Sequence, residues 1–168
     1  MVSILDILRR LIDHDVEFVL IGGMAAVAFG SSLTTEDLDV AAPLTEQNAA
    51  RLLAALKDIN PRHRMNPMLT ALTETPASLS KFENLYLVTD LGQLDVLARI
   101  AGIGPYPDVR RASVEIDFHG RKVHILGLEA LIRSKEALNR QKDLPAIVHL
   151  KAILERTRGG KAKNRKKI

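Results

Sequence analysis

Glu17-Phe18-Val19-Leu20-Ile21-Gly22-Gly23, followed after thirteen intervening residues by Asp37-Leu38-Asp39-Val40, is the stretch whose reading decides the fold. The four successive apolar residues 18–21 suit a strand covered on both faces. The diglycine lets the chain turn tightly, without a Cβ in the way, into a short helix expected over 24–29. On the second strand, expected over 37–41, side chains alternate. Asp37 and Asp39 therefore share one face, with Cα atoms about 6.5–7 Å apart, while Leu38 and Val40 face the core. Two carboxylates on one face can hold a divalent cation. A third acid has a matching setting in Gln93-Leu94-Asp95-Val96-Leu97. Three such acids point to metal-dependent phosphate chemistry.

Working outward, Ile4, Leu5, Leu8, Leu11 and Ile12 recur at helical spacing behind a Ser3/Asp6 capping pattern, which predicts an amphipathic helix over 3–14. Beyond the acid strand, Pro43 ends the extended run and Thr45 begins a helix through Leu52, Leu53 and Leu56. Residues 59–83 hold Pro61, Pro67, Pro76 and the cations of Arg62-His63-Arg64 with little periodicity, as expected of a mobile or substrate-facing connection. Two hairpins follow. One joins 85–88 to 94–97 across Asp90 and Gly92, and the other joins 114–118 to 122–125 through His119-Gly120-Arg121. Helices are expected over about 128–139 and 143–156. The resulting class is α+β, an α/β mixed sheet with flanking helices and a C-terminal helical pair. In the first of that pair Lys135 falls among Leu128, Leu131, Ile132 and Leu138, an arc otherwise apolar. An ammonium there either reaches a carboxylate or phosphate at the edge of the core or snorkels to water.

The chain of 168 residues reads as one domain, able to bury about 70% of the surface exposed on unfolding. Its 46% hydrophobic and 4% aromatic content makes the core aliphatic and leaves few platforms for stacking bases. With no cysteine, disulfides and thiolate zinc sites are excluded, and the five histidines lack ligand spacing, so any metal should be oxygen-bound. No apolar run approaches the ~18 residues of a membrane span, and the expected location is the cytoplasm. The net charge of +4 is misleading, because the seven Lys and Arg of 156–168 leave residues 1–155 at −3. Residues 1–156 read as the folded domain and 157–168 as a basic, flexible tail, either solvated or touching RNA or DNA.

With these residues in place, the chain resembles the nucleotidyltransferase superfamily, and within it the small bacterial proteins grouped with abortive-infection nucleotidyltransferase toxins. The resemblance rests on Gly22-Gly23 before Asp37-Leu38-Asp39, on Gly92-Gln93-Leu94-Asp95, on Leu131-Ile132-Arg133-Ser134-Lys135, and on Arg140-Gln141-Lys142-Asp143-Leu144. It implies the nucleotidyltransferase fold, with a minimal core like that of DNA polymerase beta, and an enzyme that moves a nucleoside monophosphate from an NTP to an acceptor hydroxyl. In that role Asp37, Asp39 and Asp95 are catalytic and bind Mg²⁺ or Mn²⁺, with Asp95 holding a second metal or accepting the hydroxyl proton. Gly22, Gly23, Ser31 and Ser32 line the nucleotide's phosphates, Lys135 neutralises their charge, and Asp143 orients Lys135 or a nearby group. Relatives often carry arginine shortly before the first aspartate, where this chain has Leu33. The acceptor could be a tRNA, a protein or a small molecule, and a toxin role would pair the protein with an antitoxin. The alternative is a non-catalytic protein of the same fold that binds RNA or a protein partner.

Overall fold

A computed structural model describes residues 3–32 and 35–165. Leu33 and Thr34 lie outside the described residues, as do the last three residues of the basic segment. The chain begins with helix α1 (Ile4–Asp13), strand β1 (Val19–Leu20), helix α2 (Gly22–Ala28), strand β2 (Asp37–Ala41) and helix α3 (Glu46–Leu56). Strand β3 (Arg62–His63), helix α4 (Pro76–Leu79), strands β4 (Asn84–Thr89) and β5 (Gly92–Leu97), the short pair β6 (Arg99–Ile100) and β7 (Gly104–Pro105), and helix α5 (Tyr106–Arg111) follow. Strands β8 (Ser113–Phe118) and β9 (Arg121–Leu126), helix α6 (Leu128–Leu138), a 3₁₀ turn (Gln141–Asp143) and helix α7 (Leu144–Arg165) complete it.

Seven strands form one mixed sheet in the order β3-β4-β5-β2-β1-β9-β8. β2 runs parallel to β5 and β1 parallel to β9, while the remaining neighbours are antiparallel. Alternation along the strands divides the apolar residues into two cores. Leu38, Val40, Leu85, Leu87, Leu94 and Val96 pack on one side against α1, α3 and α4. Val19, Ile21, Ala41 and Leu126 pack on the other against α2, α5, α6 and α7. This second layer covers the β1/β9 half of the sheet. The same face of β4 and β5 carries Tyr86, Val88, Gln93 and Asp95, all partly exposed.

Several local devices fix this arrangement. Thr45 caps α3 by accepting a hydrogen bond from the Asn48 amide at 3.2 Å. The buried Asn48 side chain then accepts from the Glu17 amide at 2.7 Å and donates to the Glu17 and Pro43 carbonyls at 2.9 Å each, tying α3 to the entry of β1. The β8–β9 hairpin turns on His119 and Gly120, both with positive φ (51° and 79°), as a two-residue turn matched to strand twist requires.

The differences from the sequence reading are local. Helix α2 starts at Gly22, so the diglycine forms its first turn rather than preceding it. Ser3 takes the N-cap position of α1 without a side-chain capping hydrogen bond. Residues 59–83, expected to lack regular structure, contain α4 and the short edge strand β3. The Arg64 amide there bonds the Tyr86 carbonyl at 2.8 Å, and the His63 amide bonds the Thr70 carbonyl at 2.9 Å. A two-residue strand is too short to show alternation, which is why periodicity missed it. Helix α7 continues through Gly159-Gly160 to Arg165, where a flexible tail was expected from 157.

Candidate active site

The sheet register sets the acids. Asp39 pairs with Asp95 across the parallel β2/β5 ladder, and Asp95 pairs with Tyr86 across β5/β4. Neighbouring strands lie about 4.8 Å apart, so Asp39, Asp95 and Tyr86 stand side by side on one face. Asp37 occupies the same face one pleat away on β2, opposite Gln93. Leu38 and Val40, fully buried beneath, lock the register that keeps both aspartates facing outward.

These groups line a cleft of about 340 Å³. Its floor holds Gly22, Asp39, Asp95 and Tyr86, and its far wall is the α6 side, with Leu131, Ser134, Lys135 and Arg140. Gly22 has φ +61°, and a Cβ there would fall 2.1 Å from Asp39 Oδ2, so the glycine backbone forms the cradle of that carboxylate. Lys135, 12% exposed, donates to Asp143 Oδ1 at 3.2 Å, and Arg140 Nε donates to Asp143 Oδ2 at 2.6 Å. Burial alone would raise the Asp143 carboxyl, but the hydrogen bonds and the positive charges of Arg140 and Lys135 together hold the group below its ordinary value. The surplus charge of Arg140 is presented to the cleft.

Asp39 behaves oppositely. Burial, then repulsion from Asp95 and Asp37, raises its pKa to about 6, against a partial offset from Lys135 and Arg140. Asp95 is also raised, chiefly by burial, while its ion pair with Arg64 pulls the other way. The positive charge that reaches Asp39 from Lys135 and Arg140 is therefore too little to balance burial and the two acidic neighbours. Among the described residues no group of three or more His, Cys, Asp or Glu is arranged to hold a metal ion alone. Mg²⁺, however, is usually held by one or two carboxylates completed by water and substrate phosphates. The all-oxygen pair Asp37 and Asp39, its repulsion only partly offset by Lys135 and Arg140, fits that kind of ion.

Of the residues singled out from the sequence, Gly22, Asp39, Asp95 and Lys135 meet in the cleft, Asp37 adjoins it, and Asp143 lies behind Lys135. Gly23 faces away, against the Thr35 side chain. Ser31 and Ser32, just past the end of α2, are not among the lining residues, and Ser31 is buried. Arg64 is the residue whose role the sequence did not reveal. It follows β3, its guanidinium carbon sits 5.7 Å from the centre of the Tyr86 ring, and its Nη2 bonds Asp95 Oδ1. Its only advance signal was a cluster of cations in a connection without periodicity. Asn84, Tyr86 and Arg99, also lining the cleft, carried no signal beyond their strand positions.

No protein-family model matches the chain. None of the curated proteins matches it either. Among solved structures, it is similar to the crystal structure of a Thermotoga maritima protein assigned provisionally as a nucleotidyltransferase. The two share 16% identity over 93% of this chain and 96% of that one, with a TM-score of 0.53. A likeness at that identity shows that the two chains share a mixed α/β fold.

Proposed function

We propose that this protein is a divalent-metal-dependent nucleotidyltransferase that moves a nucleoside monophosphate from an NTP to an acceptor hydroxyl. The observation that carries the reading is the juxtaposition of Asp39 and Asp95 on adjacent parallel strands, with Asp37 on the same face and the Gly22 backbone packed on Asp39. Asp37 and Asp39 would hold Mg²⁺ or Mn²⁺, which supplies charge stabilisation to the transferring phosphoryl group. Asp95 accepts the proton of the acceptor hydroxyl through its Oδ2, while Arg64 holds Oδ1. The acceptor oxygen bonds to the α-phosphorus as the bond to the β-phosphate oxygen breaks, and pyrophosphate leaves with that electron pair. Arg140 and Lys135, on the opposite wall, meet the phosphate charge, with Asp143 fixing the direction of both.

Action on a tRNA or protein acceptor in the cytoplasm, and pairing with an antitoxin, are the finer parts of this reading. The basic run beginning at Arg156 supports an RNA acceptor, and among the described residues no helix is long and apolar enough to cross a membrane. The test is transfer of α-labelled NTP to cell RNA and protein, together with thermal melting in NTP and Mg²⁺. A ligand at a hundred times its Kd stabilises by about 2.7 kcal/mol. The expected result is a Tm rise and label transfer, both lost in Asp39→Asn. Absence of nucleotide binding in the presence of metal would refute the reading.

A further inference from the structure

Arg64 is secured from three directions: by its backbone amide on the Tyr86 carbonyl, by its guanidinium against the Tyr86 ring, and by its ion pair with Asp95. The paired side chains are only 29% and 15% exposed. Arg64 Nε is buried and without a hydrogen-bond partner, so a donor remains next to the pair. A guanidinium cannot shed its proton at working pH, and its planar fork suits carboxylate and phosphate oxygens alike. Asp95 Oδ1 is thus already occupied by a fixed positive charge. A second ion on the remaining oxygen, Oδ2, would sit beside that fixed, partly buried guanidinium charge and be repelled by it.

We propose that Arg64 is a positioning residue that takes the place of a second metal ion. It holds Asp95 beside the reacting centre, so the cleft takes up one divalent ion, on Asp37 and Asp39, and Asp95 ligates none. This inference rests on the nucleotidyltransferase reading but is separable from it. Under it, Asp95 serves as proton acceptor with one oxygen clamped, and the arginine supplies from the protein the charge that a metal would otherwise bring.

The experiment is a Mn²⁺ titration of the full chain with a saturating non-hydrolysable α,β-methylene ATP, followed by electron paramagnetic resonance of the free ion. The expected result is one Mn²⁺ per chain. Asp95→Asn, which keeps shape and volume, should leave the Mn²⁺ Kd within about threefold, whereas Asp39→Asn should weaken it at least about tenfold, or about 1.4 kcal/mol. Arg64→Ala should lower kcat about tenfold or more at unchanged Mn²⁺ Kd, with partial recovery on adding guanidinium, a response that lost packing alone would not give. Two ions in the wild type, or a tenfold weaker Kd in Asp95→Asn, would overturn the inference and leave the enzyme reading standing. No ion bound, or Asp39→Asn binding as wild type, would overturn both.

Discussion

Asp39 carries a cost when it is ionised. Its folded pKa of about 6 lies above the ordinary aspartate value of 3.8, so the sign of its linkage is that of a raised acid. The stability it contributes is fully present below the unfolded pKa and is lost as pH rises through about 6. Asp39→Asn cannot ionise, and should therefore be more stable than the wild type at pH 8 by roughly 1–3 kcal/mol. The gap should close as pH falls toward 4, which urea unfolding at the two pH values will read. Asp143 has the reverse sign. Its lowered pKa gives stability that is present above the unfolded value and lost as pH falls through the folded one. Asp143→Ala would leave Lys135 buried without its partner and should cost roughly 3–5 kcal/mol, while Lys135→Met combined with Asp143→Leu should recover most of that loss. A chemical-denaturation cycle over the four variants measures both. The wheel position of Lys135 singled it out in the sequence but left open whether it reached a carboxylate or snorkelled to water; its partner was legible only through the resemblance, because Asp143 sits on a 3₁₀ turn with no periodic signal.

At the scale of elements, the β1–α2 junction is the tightest constraint on the site. Gly22 combines a left-handed backbone with a carboxylate oxygen where a Cβ would stand. Gly22→Ala should lose at least about 1–2 kcal/mol from backbone strain alone. It should also displace Asp39, so melting would show lower stability and metal titration weaker binding. The two long strands of the acid-bearing ladder, β2 and β5, were legible because alternation over five or six residues separates Leu38, Val40, Leu94 and Val96 from the aspartates. The edge strand β3 was not. Two residues supply no period, and its place is set by hydrogen bonds to β4 that only the folded chain reveals. Arg64 was hidden for the same reason, and with it the partner of the third acid.

For the molecule as a whole, the charge map splits from the packing map. Apolar contacts of α7 with the second core end by Leu154, and Arg158 beyond them makes one surface ion pair with Glu129, both partners about two-thirds exposed. Such a pair contributes at most about 1 kcal/mol. Deleting 156–168 should therefore leave Tm within a few degrees while changing the net charge from +4 to −3. If RNA is the acceptor, its affinity should fall and the salt dependence of binding should flatten, readable by fluorescence anisotropy at several salt concentrations. Helices α1, α3 and α4 pack on one side of the sheet, while those of the other side cover chiefly the β1/β9 half. The acids stand at the step between the roofed half and the bare one, so a bulky acceptor could slide in along β3 and β4 without any door swinging aside. The same openness admits bulk solvent: if the proposed transfer is the reaction, a nucleotide waiting there unaccompanied should be slowly hydrolysed, a background leak that addition of the acceptor should suppress.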